Sequence, residues 1–336
     1  MGRYLVTGGA GYVGSHVALA LLERGDEVVV LDDLRQGHRA AVQPGMELVV
    51  ADLTDRARVR EVLSGGRFDG VLHFAALSLV GESMREPLRY IAENVSNSLW
   101  LADAAVQAGV RRFVLSSTAA LFGEPKKIPI DEGQPLAPVS AYGESKLMVE
   151  RGLEWADQVH GLRSAALRYF NAAGADPGGR LGEDHNPETH LIPNALNAAL
   201  GFGPPLTVFG TDYDTPDGTA IRDYVHVTDL ADAHLRVLDR LKDGPSCRYN
   251  VGSGTGASVL EVIAAVERAT GRPVPHVLGP RRAGDPPVLV ASNEALRRET
   301  GWVPRLGALD DIVGTACAWR MKHPRGYRDM AAAVAA

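Results

Sequence analysis

From Arg3 to Thr118 short runs of aliphatic and β-branched residues alternate with longer amphipathic ones, and this alternation leaves few folds open. "YLVTG" predicts a strand, "VGSHVALALLERG" a helix ended by Gly25, and "EVVVLDD" a second strand. "MELVVADL", after the turn "QPG", predicts a third. "ARVREVLSGG" then reads as a helix, "FDGVLHFAA" as a fourth strand, "VSNSLWLADAAVQAGV" as a long helix and "RRFVLSST" as a fifth strand. A helical crossover carries each strand back to the same end, so such strands pair in parallel. The expected fold is α/β, a doubly wound parallel sheet and not a bundle or a sandwich.

A helix follows from Tyr142 to about Val159, and "RSAALRYFN" adds a strand. Beyond Ala172 the texture changes: "AAGADPGGRLGEDHNPETH" and "FGTDYDTPDGTAIRD" are rich in Gly, Pro and acidic residues. We expect one domain over 1–174 and a smaller C-terminal domain over 175–336. Part of 221–242, around "DYVHVTDLADAHLRVLDRL", is expected to return to the first. "ALDDIVGTACAWRMKH" reads as a late amphipathic helix.

The 336 residues carry a formal net charge of −6, which argues against a nucleic-acid partner or an anionic membrane surface. No apolar run reaches the roughly 18 residues that a membrane span needs. The chain enters its first strand at Arg3, where a signal peptide would place charged and apolar regions, so a cytoplasmic location is expected. Cys247 and Cys317 are too few for a disulfide framework or a zinc site, and no metal is expected.

"TGGAGYVGSH" sets Gly8, Gly11 and Gly14 between the first strand and the first helix. Glycines there allow a tight turn, close approach of a pyrophosphate and close helix–strand packing, and the helix N-terminus offers amide donors. This is a Rossmann-type dinucleotide loop. Asp32 ends the second strand, where a carboxylate accepts from an adenosine ribose and repels a 2′-phosphate, so the expected cofactor is NAD and not NADP. Asp52, after the third strand, is a candidate for the adenine edge or a helix cap.

"SAYGESKLM" puts Tyr142 and Lys146 one helical turn apart, on one face. Removing hydride from a carbinol requires a base on its hydroxyl, and a phenol serves only if its pKa falls by several units. A lysine ammonium close by, together with a positive nicotinamide ring, would lower it. Lys146 can also reach the nicotinamide ribose. "LSSTAA" brings Ser116, Ser117 and Thr118 to the carboxyl edge of the sheet, where ligands bind, and Thr118 is chosen as the second hydrogen bond to the reacting oxygen.

Together "TGGAGYVGSH", "LDDL", "LHFAA", "LSSTAA", "YGESK", "LRYFNAAGA", "RDYVHVTDLADAH" and "PRRAGDP" resemble the UDP-galactose 4-epimerases, extended short-chain dehydrogenase/reductases, over about residues 3 to 325. The resemblance implies tightly held NAD, oxidation of a UDP-sugar at carbon 4, rotation of the 4-keto sugar, and hydride return to its other face. By position, Tyr142 is the acid/base, Lys146 its partner and Thr118 the hydroxyl aid. Tyr12, Val13, Asp32, Asp33, Asp52, Leu53, Phe74, Ala75, Ala76, Ser116 and Phe170 fall on NAD positions, beside Gly8, Gly11, Gly14, Tyr142 and Lys146. Asn171, Leu191, Val208, Phe209, Arg222, Arg282 and Asp285 fall on UDP-sugar positions, with Thr118 and Tyr142 at the sugar. A homodimer is also implied.

Four places depart from the pattern. Ser78 replaces a lysine, Glu93 an asparagine, and Leu121-Phe122 a Thr-Tyr pair whose hydroxyls would lie near the active-site rim. Leu289 stands where other members have a tyrosine or a small residue. UDP-glucuronate and UDP-N-acetylhexosamines therefore stay open beside UDP-glucose and UDP-galactose. A nucleotide-sugar dehydratase would carry Asp-Glu where Ala119-Ala120 follow Thr118, and a non-catalytic NAD-binding regulator would not need Tyr142 and Lys146.

Overall fold

The computed structural model describes residues 1–282 and 285–334; Ala283 and Gly284 of "PRRAGDP" lie outside the described residues. The first half runs β1 (Arg3–Thr7), α1 (Tyr12–Glu23), β2 (Glu27–Asp32), β3 (Glu47–Val50), α2 (Arg56–Gly65) and β4 (Gly70–His73). It continues with α3 (Val80–Ser83), α4 (Pro87–Gln107), β5 (Arg112–Thr118), α5 (Ala141–His160) and β6 (Arg163–Tyr169). Then come β7 (Asn171–Ala173), α6 (Leu191–Leu200), β8 (Leu206–Phe209), β9 (Ile221–Arg222), β10 (Tyr224–His226), α7 (Val227–Arg240) and β11 (Cys247–Val251). The last are β12 (Ala257–Ser258), α8 (Val259–Thr270), β13 (His276–Gly279), β14 (Val288–Leu289), α9 (Glu294–Thr300), α10 (Leu309–Lys322) and α11 (Tyr327–Val334).

The main sheet has seven strands in the order β3-β2-β1-β4-β5-β6-β11, and every pairing is parallel. Its order reverses between β1 and β4, which opens a crevice at their carboxyl ends. One face is sealed by α1 and α7 through Val17, Leu21, Leu230, Ala233 and Val237. The other is sealed by α2, α4 and α5 through Val59, Leu63, Leu101, Ala105, Val149 and Leu153. Strands buried on both faces need no polar alternation, which is why they read as nearly continuous apolar runs.

The seventh strand comes from beyond residue 240, a short edge segment with no periodicity of its own to announce it. The return also takes in Trp302, fully buried in the α1/α7 cluster with its indole N–H on the Asp229 carbonyl at 2.9 Å. A separate apolar cluster joins α6, α8 and α10 around Ile192, Leu196, Val262, Val266, Ile312 and Val313. Among the described residues no helix is long and apolar enough to cross a membrane.

Truncating Trp302 should expose how strongly this return supports the sheet. Trp302→Ala empties a fully buried indole site and should cost about 3–5 kcal/mol in urea unfolding; a loss below about 1 kcal/mol would place the segment outside the cooperative core.

Candidate functional site

The turn after β1 is fixed by contact distances. Gly8 takes φ +70°, and a Cβ there would meet the Ala75 amide nitrogen at 2.5 Å. A Cβ on Gly14 would meet the Gly8 carbonyl oxygen at 2.2 Å. These two glycines let α1 sit on the turn and the turn sit on the end of β4. A Cβ on Gly11 would meet only the Gly8 carbonyl oxygen, at 3.3 Å. No side chain caps α1, so its first-turn amides stay available to an anion. A cradle this close to backbone fits a dinucleotide pyrophosphate.

At the end of β2 the Asp32 carboxylate accepts from the Ala10 amide at 3.0 Å and the Leu34 amide at 2.9 Å. Burial lifts its pKa, and these two amides oppose the rise. Asp33 and Asp52 are joined by Arg35, which pairs with the first and reaches the second at 3.1 Å. Asp52 also accepts from the Thr54 amide and hydroxyl, at 2.7 and 2.8 Å, which hold its pKa down. Leu53 is buried under α2 and α4, while Phe74, Ala75 and Ala76 follow β4 beside the glycine turn. Arg35 was not singled out from sequence, since an arginine in a polar loop carries no pattern.

Thr118 ends β5, and Tyr142 and Lys146 lie in the first two turns of α5. Ser140 caps that helix by accepting from the Gly143 amide at 3.1 Å. A Cβ on Gly143 would stand 2.6 Å from the Ala120 carbonyl oxygen, so glycine lets the helix start press against the turn after Thr118. Lys146 is buried, and its ammonium donates to the Ser116 carbonyl at 2.8 Å. Burial lowers its pKa to about 8, while the Glu150 charge acts upward. Burial pushes the Tyr142 phenol up to about 12, and the neighbouring Thr118 hydroxyl pulls downward. The sequence reading had the ammonium depress the phenol; here the ammonium is held by a backbone carbonyl and the opposing contact is Thr118. The Ser116 hydroxyl bonds the Tyr169 phenol at 2.5 Å.

Glu150, one turn beyond Lys146, was not anticipated. It takes Arg168 Nη2 at 2.6 Å and Nε at 3.1 Å, and the Ser117 hydroxyl at 2.5 Å, entirely in the interior. His73, also buried, lies between the Thr7 and Ser98 hydroxyls at 2.7 Å each, and burial, then the Lys146 charge, lower its pKa to about 3.

In the C-terminal part, Arg222 pairs with Asp285 and donates to the Pro286 carbonyl at 2.8 Å. The Arg282 guanidinium lies 4.2 Å from the centroid of the Phe209 ring, beside Val208 at the end of β8. Arg282 and Asp285 line a cleft of about 750 Å³ with Tyr213, Arg281, Ile128 and Val288. Asn171 donates to the Asp223 carbonyl at 2.9 Å, and Leu191 opens α6. Phe170 shares an apolar cluster with Phe122, Ile130, Ala291 and Leu289. Leu121 and Phe122 are both buried, Phe122 within this cluster. Sequence reading also passed over Glu183, His185, Glu188 and His190, whose ligating atoms lie within 4.8 Å of one another. Burial lowers both histidines, but the facing carboxylates prevail and raise His185 to about 9 and His190 to about 10.

Residues 4–252 match the NAD dependent epimerase/dehydratase family. The UDP-glucose 4-epimerase of Lacticaseibacillus casei is 48% identical over 325 residues, covering 96% of this chain and 98% of that one. A crystal structure of a UDP-glucose 4-epimerase superposes with a TM-score of 0.95 at 45% identity, over 97% of this chain and 99% of that one. The enzyme from Brucella ovis, solved in complex with NAD, gives 0.92 at 44% identity, over 95% and 98%. The chain belongs to the NAD dependent epimerase/dehydratase family and, within it, to the UDP-glucose 4-epimerases.

Proposed function

We propose that the protein interconverts UDP-glucose and UDP-galactose at sugar carbon 4, using NAD. The observation that carries this reading is the meeting of Thr118, Tyr142 and Lys146 at the carboxyl edge of the sheet. Register pairing places the end of β5 beside the ends of β4 and β6, and β4 lies beside β1 and its glycine turn. NAD, when bound, supplies a hydride acceptor for carbon 4 and a positive ring charge near the phenol. The turn of Gly8, Gly11 and Gly14, with the first amides of α1 at Tyr12 and Val13, holds its pyrophosphate. Asp32 and Asp33 take the adenosine ribose, Asp52 and Leu53 the adenine, and Lys146 the nicotinamide ribose. Phe74, Ala75, Ala76, Ser116 and Phe170 form the remaining walls.

Tyr142, as phenolate, takes the proton from the 4-hydroxyl and returns it to the 4-oxygen once the 4-keto sugar has turned to present its other face. Thr118 holds the same oxygen. Lys146 keeps a positive charge behind the phenol. Arg222 and Arg282 meet the diphosphate, for which guanidinium forks suit the oxygen spacing. Asp285 accepts from the uridine ribose, Phe209 and Val208 pack against uracil, and Asn171 and Leu191 close the sugar end. In this reading residues 1–174 hold NAD and 175–336 hold the UDP-sugar.

Leu289 supports a second substrate. Its aliphatic side chain, smaller than the tyrosine of other members, packs on the Phe122 and Phe170 cluster, and it keeps UDP-N-acetylhexosamines open as substrates of the same steps. Feeding each UDP-sugar and following product ratios separates the two; turnover of UDP-glucuronate with none of UDP-galactose would overturn the leading choice. A cytoplasmic homodimer completes the reading, its dimeric part supported by Trp155 and Val159, 68% and 65% exposed on α5.

Two variants test the chemistry. Tyr142→Phe should lower kcat by about 10²–10⁴ while NAD remains bound; unchanged turnover would remove Tyr142 from its role. The Lys146 charge, with a pKa near 8, should be lost as pH rises, so activity should fall above about pH 8. Because the Glu150 charge holds that pKa up, Glu150→Gln should move the alkaline limb to lower pH. An unmoved limb would detach it from Lys146.

A further inference from the structure

The segment between β7 and α6 reads "GEDHNPETH", with Glu183, His185, Glu188 and His190 at alternating short spacings. It folds so that all four side chains converge. His185 Nδ1 stands 3.3 Å from Glu183 Oε1 and 3.5 Å from Glu188 Oε2. His190 Nδ1 stands 2.9 Å from Glu183 Oε1 and 2.8 Å from Glu188 Oε1. Bonds of about 2.0–2.2 Å to a tetrahedral ion place neighbouring ligand atoms about 3.3–3.6 Å apart. The two His185 separations already match and the two His190 separations need to open by about half an ångström, with Glu188 offering a different oxygen to each histidine.

A second observation points the same way. The Glu183 side chain is only 7% exposed, yet its Oε1 makes no well-aligned hydrogen bond, its near nitrogens being only the Nδ1 atoms of His185 and His190, and the buried Nδ1 of His185 makes none either. Buried polar atoms are ordinarily partnered. These two are aimed at one point, together with His190 and Glu188. The Glu188 carboxylate is fixed in turn by the Thr189 and His190 amides, at 2.8 Å each. His38 holds the Asp184 carbonyl at 2.9 Å, and the Tyr327 amide holds the Asp184 carboxylate at 2.9 Å, so the backbone between the ligands is tied down.

From this we infer that Glu183, His185, Glu188 and His190 form a binding site for one divalent transition metal of the zinc class. Two imidazole nitrogens and two carboxylates suit zinc and disfavour magnesium or calcium, which take oxygen ligands. Four protein ligands make a closed, structural site with no position left for a reacting water. Its neighbours say what it ties together. The His185 ring meets the Tyr12 ring edge-on at 6.0 Å, at the start of α1, and the Tyr12 hydroxyl donates to the Gly174 carbonyl at 2.7 Å. His190 is the residue before α6, which Leu191 opens. The ion would join the glycine-turn end of α1 to the first turn of α6. His190, half exposed, gives it a way in.

Full-length protein, stripped with a chelator and dialysed, is titrated with ZnCl₂ by calorimetry, and bound metal is counted by mass spectrometry. One zinc per chain is expected, with a rise in melting temperature. Glu183→Gln and the double variant His185→Gln/His190→Gln should each weaken binding at least about tenfold, and zinc should no longer raise their melting temperature. Zinc held equally by the variants, or none held by the parent chain, overturns the site and leaves two crossed imidazolium–carboxylate pairs. If the variants do not fold, Co²⁺ added to the stripped parent chain decides: strong visible bands of a four-coordinate ion support the site, and only the weak spectrum of hydrated Co²⁺ refutes it.

Discussion

The position of the catalytic candidates depends on one buried carboxylate. Glu150 and Arg168 are each 2% exposed and form a two-point ion pair, to which Ser117 adds its hydroxyl. An unpaired charge at such depth costs several kcal/mol, so neither partner can be withdrawn without its complement. Ser117 belongs to β5, Glu150 to α5 and Arg168 to β6, so the pair fixes the rotation of α5 over two strands. Tyr142 and Lys146 lie two turns and one turn before Glu150 on that helix, and Thr118 follows Ser117. The same contact thus sets helix rotation and, through charge, keeps the buried Lys146 ammonium from falling further.

Close approach is the second constraint, and it is written in three glycines with separate tasks. Gly8 and Gly14 remove Cβ atoms that would collide with backbone just after β4 and of the turn itself. Gly143 does the same between α5 and the turn after β5. Side chains at these places would push α1 or α5 away from the sheet edge, and the free amides of the one and the phenol of the other would no longer border one crevice.

Much of this was legible in the chain before any coordinates. Strands β1 to β6 and helices α1, α4 and α5 announce themselves through apolar runs and helical periodicity, because each is long enough to show a period. The glycine turn and the Tyr142–Lys146 spacing are local patterns, read directly. What escaped depends on pairing between distant segments. β11 is five residues at a sheet edge, recognisable only by its partner β6. Arg35, Glu150 and Arg168 look like ordinary charged residues until the fold brings their partners to them. Glu183, His185, Glu188 and His190 read as part of an acidic, turn-rich loop, since convergence of side chains leaves no period. At Leu121 and Phe122 the resemblance implied lost hydroxyls near the rim, and the fold buries both side chains.

The electrostatics of Tyr142 and Lys146 follow from the same burial. Removing both groups from water disfavours the charged form of each, so the phenol rises to about 12 and the ammonium falls to about 8. At neutral pH the pair rests as phenol and ammonium. The two shifts run in opposite directions and open a gap of about four (12 minus 8) where free side chains differ little. The residues around them divide the correction. Glu150 supports the ammonium from behind, Thr118 supports the phenolate from in front, and the Ser116 carbonyl holds Lys146 in place without adding a full charge. The carboxylate is kept away from the phenol, whose ionised form it would oppose, and is spent on Arg168. That separation lets a buried lysine stay charged beside a tyrosine that must give up a proton.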